Sequence, residues 1–247
     1  MSATRGRRRR GSAVRLAFSA ALALALLAAA AAVFCKVSEI EVRGSKRYSA
    51  AEIIAASEIR EDANLVLLDT GRIGKKIRTQ MPYIASTEVR KILPGTVIIE
   101  VEESDPAAAI ASGGKCCIVD KSVRILEIAD MNGARGLIAI QGAEPILPKA
   151  GEKVALGETE STKLAYLEEA LGAICSAGIE DKVTWLDVSN ISAMTFDYDG
   201  RFTVDAGRGE NMSEKVGFLL GIVAKLEPTD RGTIDISNES EGRFVPG

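Results

Sequence analysis

Among the places where acidic side chains stand close together, Glu102/Glu103 and Asp197/Asp199 invite a chemical reading. Paired carboxylates can serve general acid–base chemistry or hold calcium. Adjacent or alternate acids on strands, without supporting ligands, read instead as solvated faces. Gly207-Arg-Gly209 suggests a different chemistry, because it follows a strand and precedes a helix as a dinucleotide-binding loop does. The third glycine of that pattern is missing, with Met212 in its place, and the preceding strand reads as half of a hairpin, not of a βαβ unit. The expectation is a turn with a permissive backbone. Gly113-Gly114-Lys115 lacks the spacing of a P-loop. The chain contains no histidine, which removes Ser-His-Asp and Cys-His catalysis and the commonest metal ligand. Its four cysteines, Cys35, Cys116, Cys117 and Cys175, form no C-x-x-C pair. Cys116 and Cys117 point to opposite faces if they lie in a strand. Free buried thiols are the default, and a bridge from Cys175 to one of them is the alternative. The expected protein is no enzyme, with no cofactor, no metal and no small-molecule substrate.

The element that must position everything else is residues 14–35. Between Arg15 and Lys36 the chain carries no charge. About twenty residues at roughly 1.5 Å each give about 30 Å, the thickness of a bilayer's hydrocarbon core. A helix can cross there because it satisfies its own backbone. Arg5, Arg7, Arg8, Arg9, Arg10 and Arg15 precede the stretch with no acid among them, which holds that end in the cytoplasm. A cleaved signal peptide has a similar charged start, but its apolar region is shorter, about 7–15 residues. A lipidated Cys35 would follow the bulky Phe34, a poor fit to that processing. The expectation is an uncleaved single-pass anchor in the cytoplasmic (inner) membrane, contacting lipid through this helix, with the rest of the chain outside.

Across the 247 residues there are 31 basic and 34 acidic side chains; setting aside the six arginines of residues 1–15 leaves 25 against 34, a net −9. An acidic exterior repels phosphate backbones, so no nucleic-acid partner is expected. The run Arg7–Arg10 reads as a topology signal beside anionic lipid.

Beyond the anchor, residues 37–42 alternate as a half-buried strand does. Ser49 and Glu52 form a capping box ahead of a short helix, with Ile53 and Ile54 facing inward. Residues 64–69 lead into a second helix, in which Ile73 and Ile77 share a face before Pro82 stops it. Strands at 84–92 and 96–102 flank the turn Pro94-Gly95. In residues 106–247, strands are expected at 107–111, 115–120, 123–128, 137–140, 183–188, 194–198, 201–204, 233–237 and 242–245. Helices are expected from Ser161 to a Gly178 cap and from Asn211, again read as a capping residue. Asp199-Gly200 is a two-residue hairpin signal. The whole is an α+β chain: a transmembrane helix, a β-α-α-β-β unit, then a mixed β-sheet domain with flanking helices.

The run VSEIEVRGSKRYSAAEII…LVLLD…MPYIASTEVRKILPGTVIIEVEESDP resembles the POTRA domain of the bacterial cell-division family FtsQ/DivIB. Its most specific pieces are Tyr83-Ile84, Val89-Arg90, Leu93-Pro94, and Ile99-Glu100-Val101 up to Pro106. The family usually has arginine after the glutamate of a Glu-Arg-x-Pro signature; here Ser104 follows Glu103. The stretch from Asp199-Gly200 through Gly207, Lys215 and Ile234-Asp235 resembles the family's second extracytoplasmic domain. The layout that the resemblance implies is a cytoplasmic tail at 1–13, the membrane helix at 14–35, the POTRA domain at 36–105 and an FtsQ/DivIB-type β domain at 106–247.

The resemblance also implies a role. Family members act as non-enzymatic scaffolds at the division site, linking early and late division proteins through their extracytoplasmic domains during septum formation. They hold a pair of single-pass division proteins, of the FtsB/FtsL or DivIC type, with the last strands of the β domain. Carried onto this chain, the candidate partner-binding residues are Asn238, Ser240, Glu241, Gly242, Arg243 and Phe244. Phe244 either anchors the partner or lies in the core of its own sheet. POTRA domains dock other chains at a sheet edge, which makes residues 96–102 a second candidate. Two alternatives belong to other classes. A POTRA-bearing outer-membrane assembly component needs a long run of amphipathic strands, and only about 140 residues follow the POTRA stretch. A secreted envelope enzyme needs a cleaved signal.

Overall fold

The computed structural model describes residues 15–26, 34–157, 160–238 and 241–247. Residues 15–26 are helical and exposed. The expected membrane span also takes in residues 27–33, and these, like the basic tail at 1–13, lie outside the described residues. Among the described residues no helix is long and apolar enough to cross a membrane. The chain forms two compact units, one of residues up to Ile77 with Ser86–Glu103, the other of Arg78–Ala85 with Ser104–Gly247.

The first unit follows the order β1 (Glu39–Arg43), α1 (Ala50–Ser57), α2 (Thr70–Gln80), β2 (Ile84–Ile92), β3 (Thr96–Glu103). Ser49 caps α1 through a capping box: its hydroxyl accepts from the Glu52 N–H, and the Glu52 carboxylate accepts from the Ser49 N–H at 2.8 Å. Ile53, Leu65, Ile73, Ile77, Val97, Ile99 and Val101 are buried. Each such aliphatic side chain contributes about 1.5–3 kcal/mol by leaving water. The sheet order is β1-β3-β2, with β1 parallel to β3 and Glu39 opposite Thr96. β3 is therefore the central strand. Of residues 96–102, expected as a docking edge, residues 96–100 lie between β1 and β2 and offer no edge. At the end of β1, Gly44 has φ +93°, and a Cβ there would lie 2.0 Å from the Val101 carbonyl oxygen. The chain turns away from β3 at a point only glycine fits.

The second unit is built on a nine-stranded mixed sheet. Its strands are β4 (Ala108–Ser112), β5 (Lys115–Val119), β6 (Ile125–Ala129), β7 (Ile138–Gln141), β8 (Trp185–Asp187), β9 (Met194–Tyr198), β10 (Phe202–Gly207), β11 (Gly232–Asp235) and β12 (Arg243–Pro246). The order is β12-β11-β10-β9-β8-β7-β4-β5-β6. Two pairs are parallel and separated by a helix: β7–β8, joined through α3 (Ser161–Ser176), and β10–β11, joined through α4 (Met212–Val223). β7 and β10 run the same way, and both crossovers step toward β12. Right-handed connections therefore lay both helices on one face of the sheet. There they meet each other, and Leu167, Leu171, Ile174, Val216 and Leu219 join the core with Phe196, Phe202, Val204 and Ile234. The loop between β9 and β10 holds Asp199 at φ 60° and Gly200 at φ 63°, the pair of left-handed residues that a type I′ turn requires.

Candidate functional site

The last strand, β12, lies at one end of the nine-stranded sheet, and the route to it begins in β10. Leaving β10, the chain makes the turn Gly207-Arg208-Gly209, forms α4 and returns as β11 parallel to β10, Val204 opposite Ile234. This is a βαβ unit, so the expectation of a simple hairpin half is corrected: β10 pairs antiparallel with β9 on one side and parallel with β11 on the other. The dinucleotide reading still fails, because the turn is already filled. A Cβ on Gly209 would lie 2.4 Å from Tyr166 Cβ, and one on Gly207 would lie 2.8 Å from Ser237 Cβ. The start of α4 takes a carboxylate from its own chain, the Met212 N–H donating to Glu169 Oε1 at 3.1 Å. Asn211, expected to cap by its side chain, instead holds a left-handed backbone at φ 57° with no side-chain cap bond.

Lys215 is the main polar brace of this turn. Only 2% exposed, it donates from Nζ to the Ala206 carbonyl at 2.9 Å and the Arg208 carbonyl at 2.6 Å. A buried ammonium needs such acceptors to persist. Beside it, Tyr166 Oη donates to Glu210 Oε1 at 2.5 Å, and Arg208 Nη2 donates to both at 3.0 Å. The Tyr166 hydroxyl holds the Glu210 carboxyl below its ordinary range, with Arg208 and Lys215 adding to the effect.

β12 pairs antiparallel with β11, Phe244 opposite Ile234 and Arg243 opposite Asp235. The Gly247 N–H donates to the Arg231 carbonyl at 3.0 Å, while the Gly232 and Ile236 N–H groups reach back the other way, to the Arg201 and Asp205 carbonyls. Backbone groups alternate sides along a strand. Arg243 and Val245 therefore turn their backbone toward β11, and Phe244 turns its N–H and C=O outward. Pro246 has no N–H to offer. The outer rim presents one donor–acceptor residue, Phe244, with Gly242 before it.

The candidate residues fall in different places. Asn238 and Glu241 are exposed, Gly242 is half-buried, and Ser240 lies outside the described residues. Arg243 is exposed opposite Asp235. The Asp235 carboxyl is held below its ordinary range by the Ser237 side chain and N–H, with a further pull from Arg243. The Phe244 ring is half-buried against Phe202, edge to face at 5.9 Å and 87°. Of the two readings of Phe244, its ring fits the core one. The strand's exposed apolar side chain is Val245, which the sequence reading missed. The signal was present: adjacent apolar residues in a strand face opposite ways, so one of Phe244 and Val245 had to point out. On Val245's side the neighbouring strands carry Thr195, Asp197, Thr203, Asp205, Thr233 and Asp235, so Val245 is an apolar spot on a polar surface.

The remaining chemistry candidates are engaged structurally. Asp197 Oδ1 accepts from the Thr184 N–H at 2.7 Å, the Thr184 hydroxyl at 2.9 Å and the Trp185 N–H at 2.9 Å. Asp199 accepts from Arg201, and Glu102 from Ser86 at 2.8 Å. Burial raises the Glu103 carboxyl, but donors from Ser45, Lys46 and Arg47 together hold it below its ordinary range. Ser104, in place of the family's arginine, donates from Oγ to Asp120 at 2.8 Å. The cysteines are free. Cys117 joins the main core and Cys116 a small cluster with Ala109 and Ile118, on opposite faces of β5 as expected. Burial pushes both thiols up, and also that of Cys175.

With this geometry described, the likeness to known proteins is specific. Residues 35–104 match the POTRA domain of the FtsQ type. A cell division protein FtsQ from Streptomyces venezuelae is 25% identical over 82% of this chain and 71% of its own length. A cell division protein DivIB from Clostridium tetani is 20% identical over 78% of this chain and 72% of its own. The chain is similar to cell division proteins of the FtsQ/DivIB family. A cell division protein FtsQ from Anaeromyxobacter is 32% identical, over 47% of this chain and 42% of that protein. The first three relatives are covered for less than half of their length, at 42%, 33% and 48%.

Proposed function

We propose that this chain is a non-enzymatic scaffold of the bacterial division machinery, anchored in the cytoplasmic membrane by residues 14–35. On this reading 1–13 is a cytoplasmic tail, 36–105 the POTRA domain and 106–247 the β domain, and the chain is found at the division site. Its β domain takes a strand from a single-pass division protein of the FtsB/FtsL or DivIC type along the rim of β12. The observation that carries this reading is the position of β12. It is a short terminal strand at the end of a nine-stranded sheet, with the Phe244 N–H and C=O directed outward and Val245 exposed beside them. Strand addition uses such groups: backbone bonds supply affinity and alternate side chains supply specificity. Confinement to a membrane raises effective concentration, so a short strand contact suffices.

The test is live imaging of a fluorescent fusion at the N-terminus, with and without residues 242–247. A band at the division plane, with later division proteins lost on truncation, supports both the role and the rim. Uniform membrane signal in dividing cells overturns the division role. A band with recruitment untouched by truncation keeps the role and moves the site elsewhere.

A further inference from the structure

The first unit gathers exposed apolar side chains around the point where the chain leaves residues 14–35. Phe34 is 75% exposed, Val66 52%, Leu67 82%, Ile92 49% and Leu93 67%. Scattered apolar residues on a surface need no explanation, but five around one junction do. Their closeness is fixed by backbone bonds. The Leu65 N–H donates to the Cys35 carbonyl at 2.7 Å and the Val37 N–H to the Ala63 carbonyl at 2.8 Å. On the other side the Ser38 N–H donates to the Gly95 carbonyl at 2.9 Å. A Cβ on Gly95 would lie 2.6 Å from the Lys36 carbonyl oxygen. Lys91 Nζ donates to the Val66 carbonyl at 3.1 Å, joining the two flanking segments. Residues 63–67 and 91–95 thus form a collar about 35–38.

We infer that this collar docks on the outer leaflet of the membrane, at the boundary of lipid headgroups and acyl chains, through Phe34, Val66, Leu67 and Leu93. The inference rests on the reading of residues 14–35 as a membrane anchor. Given that anchor, the occupant follows from chain length. Cys35 ends the uncharged stretch and is itself bonded to Leu65. One residue spans at most about 3.6 Å, so Val66 and Leu67 lie within about 10 Å of the end of the span. The headgroup layer and the depth reached by interfacial apolar faces are both of that order, roughly 5–10 Å. A surface held there meets lipid before any soluble partner does. Lys36 and Lys91 flank the collar, and long ammonium side chains suit this layer with their stems along apolar surface, although the Lys91 head is engaged by the Val66 carbonyl. Lys36 also faces Asp62 at 3.9 Å, so the electrostatic share is modest and apolar contact carries the docking.

The test uses the full chain reconstituted in vesicles of phosphatidylethanolamine and phosphatidylglycerol, with or without bromine on the acyl chains. Leu67→Trp and Leu93→Trp place reporters at exposed positions, and Ala55→Trp on the exposed side of α1 is the control. Each is read as its difference from the parent chain, whose single tryptophan is Trp185. Bromolipid should quench the Leu67→Trp and Leu93→Trp emission about twofold or more, as contact at interfacial depth requires, and leave Ala55→Trp nearly unchanged. If the chain floats with vesicles and resists carbonate extraction, yet all three reporters behave alike, lipid docking is overturned while the anchor stands. A protein then covers the collar. If the chain does not float with vesicles, the anchor reading fails and the docking falls with it.

Discussion

The two ends of the nine-stranded sheet solve the same physical problem in opposite ways. At β6 the chain straps the start of its own rim: the Ile125 N–H donates to the Glu152 carbonyl at 2.9 Å, and the Gly151 N–H returns to the Ile125 carbonyl at 2.7 Å. The Val154 N–H adds a bond to the Val123 carbonyl at 3.0 Å. At β12 no such strap lies over the strand among the described residues. Protection there comes from brevity, from the charge of Arg243 and from Pro246, which withholds a donor. A sheet that covers part of one rim and only shortens the other leaves the second open to strand addition, which is where the proposed partner would sit.

That contrast can be broken from the β12 side first. Lys215→Ala removes a buried cation and leaves the Ala206 and Arg208 carbonyls short of a donor, for a loss of about 3 kcal/mol in denaturant unfolding. Hydrogen exchange should then quicken in β11 and β12 ahead of β4–β6; equal quickening at both ends would show that Lys215 braces the whole sheet. A smaller effect separates the two faces of β12. Phe244→Ala should cost about 2 kcal/mol, less than a fully buried ring, because it deletes the packing on Phe202. Val245→Asp should stay within about 0.5 kcal/mol, and on the proposed scaffold reading it should abolish recruitment of later division proteins. Equal thermal shifts for the two would put them on the same face.

The strapped end is tested by Gly151→Ala. Gly151 sits at φ +87°, where a side chain costs about 1–2 kcal/mol. Exchange at the Ile125 N–H should rise, and dimerisation through β6 would sharpen the contrast. The smallest effect is acid sensitivity. Asp235, beside β12, titrates below its ordinary range in the folded chain. A depressed carboxyl stabilises fully above its unfolded value, and the contribution disappears as pH falls through the lower folded value. The β12 end should therefore loosen below about pH 4, and Asp235→Asn should remove that dependence. An unchanged acid profile in the variant would assign the loss to other carboxyls.

What could be read from the sequence was local. The capping box Ser49/Glu52, the hairpin pair Asp199-Gly200, the strand at 96–102 and the helix from Ser161 each involve a few neighbouring residues. All appear in the fold. The features missed depend on partners distant in the chain. β3 became central because Glu39 pairs with Thr96, a parallel contact that no short window records. The start of α4 takes its carboxylate from Glu169 on α3, so Asn211 lost the role its residue type suggested. Lys215 gave no sign of burial, since its acceptors at Ala206 and Arg208 are backbone carbonyls and any sequence carries those. For the candidate site, the end strand was legible as a strand. Its place at the rim, and the division of labour between Phe244 and Val245, depended on strand order.

Because both crossovers put their helices on one face, the sheet near β12 has a greasy side and a wet side, and this prescribes the grammar of any strand laid beyond it. The newcomer's side chains would continue the same two surfaces, since alternation is shared across a ladder. One set must be apolar, in line with Phe244 and within reach of the α4 residue Ile222, which approaches Gly242. The other must be hydrophilic, alongside Arg243, with room for one apolar residue against Val245. A partner segment can therefore be sought by pattern before it is sought by affinity: a short run alternating oily and polar residues, entering register at Phe244 and ending where Pro246 offers no donor.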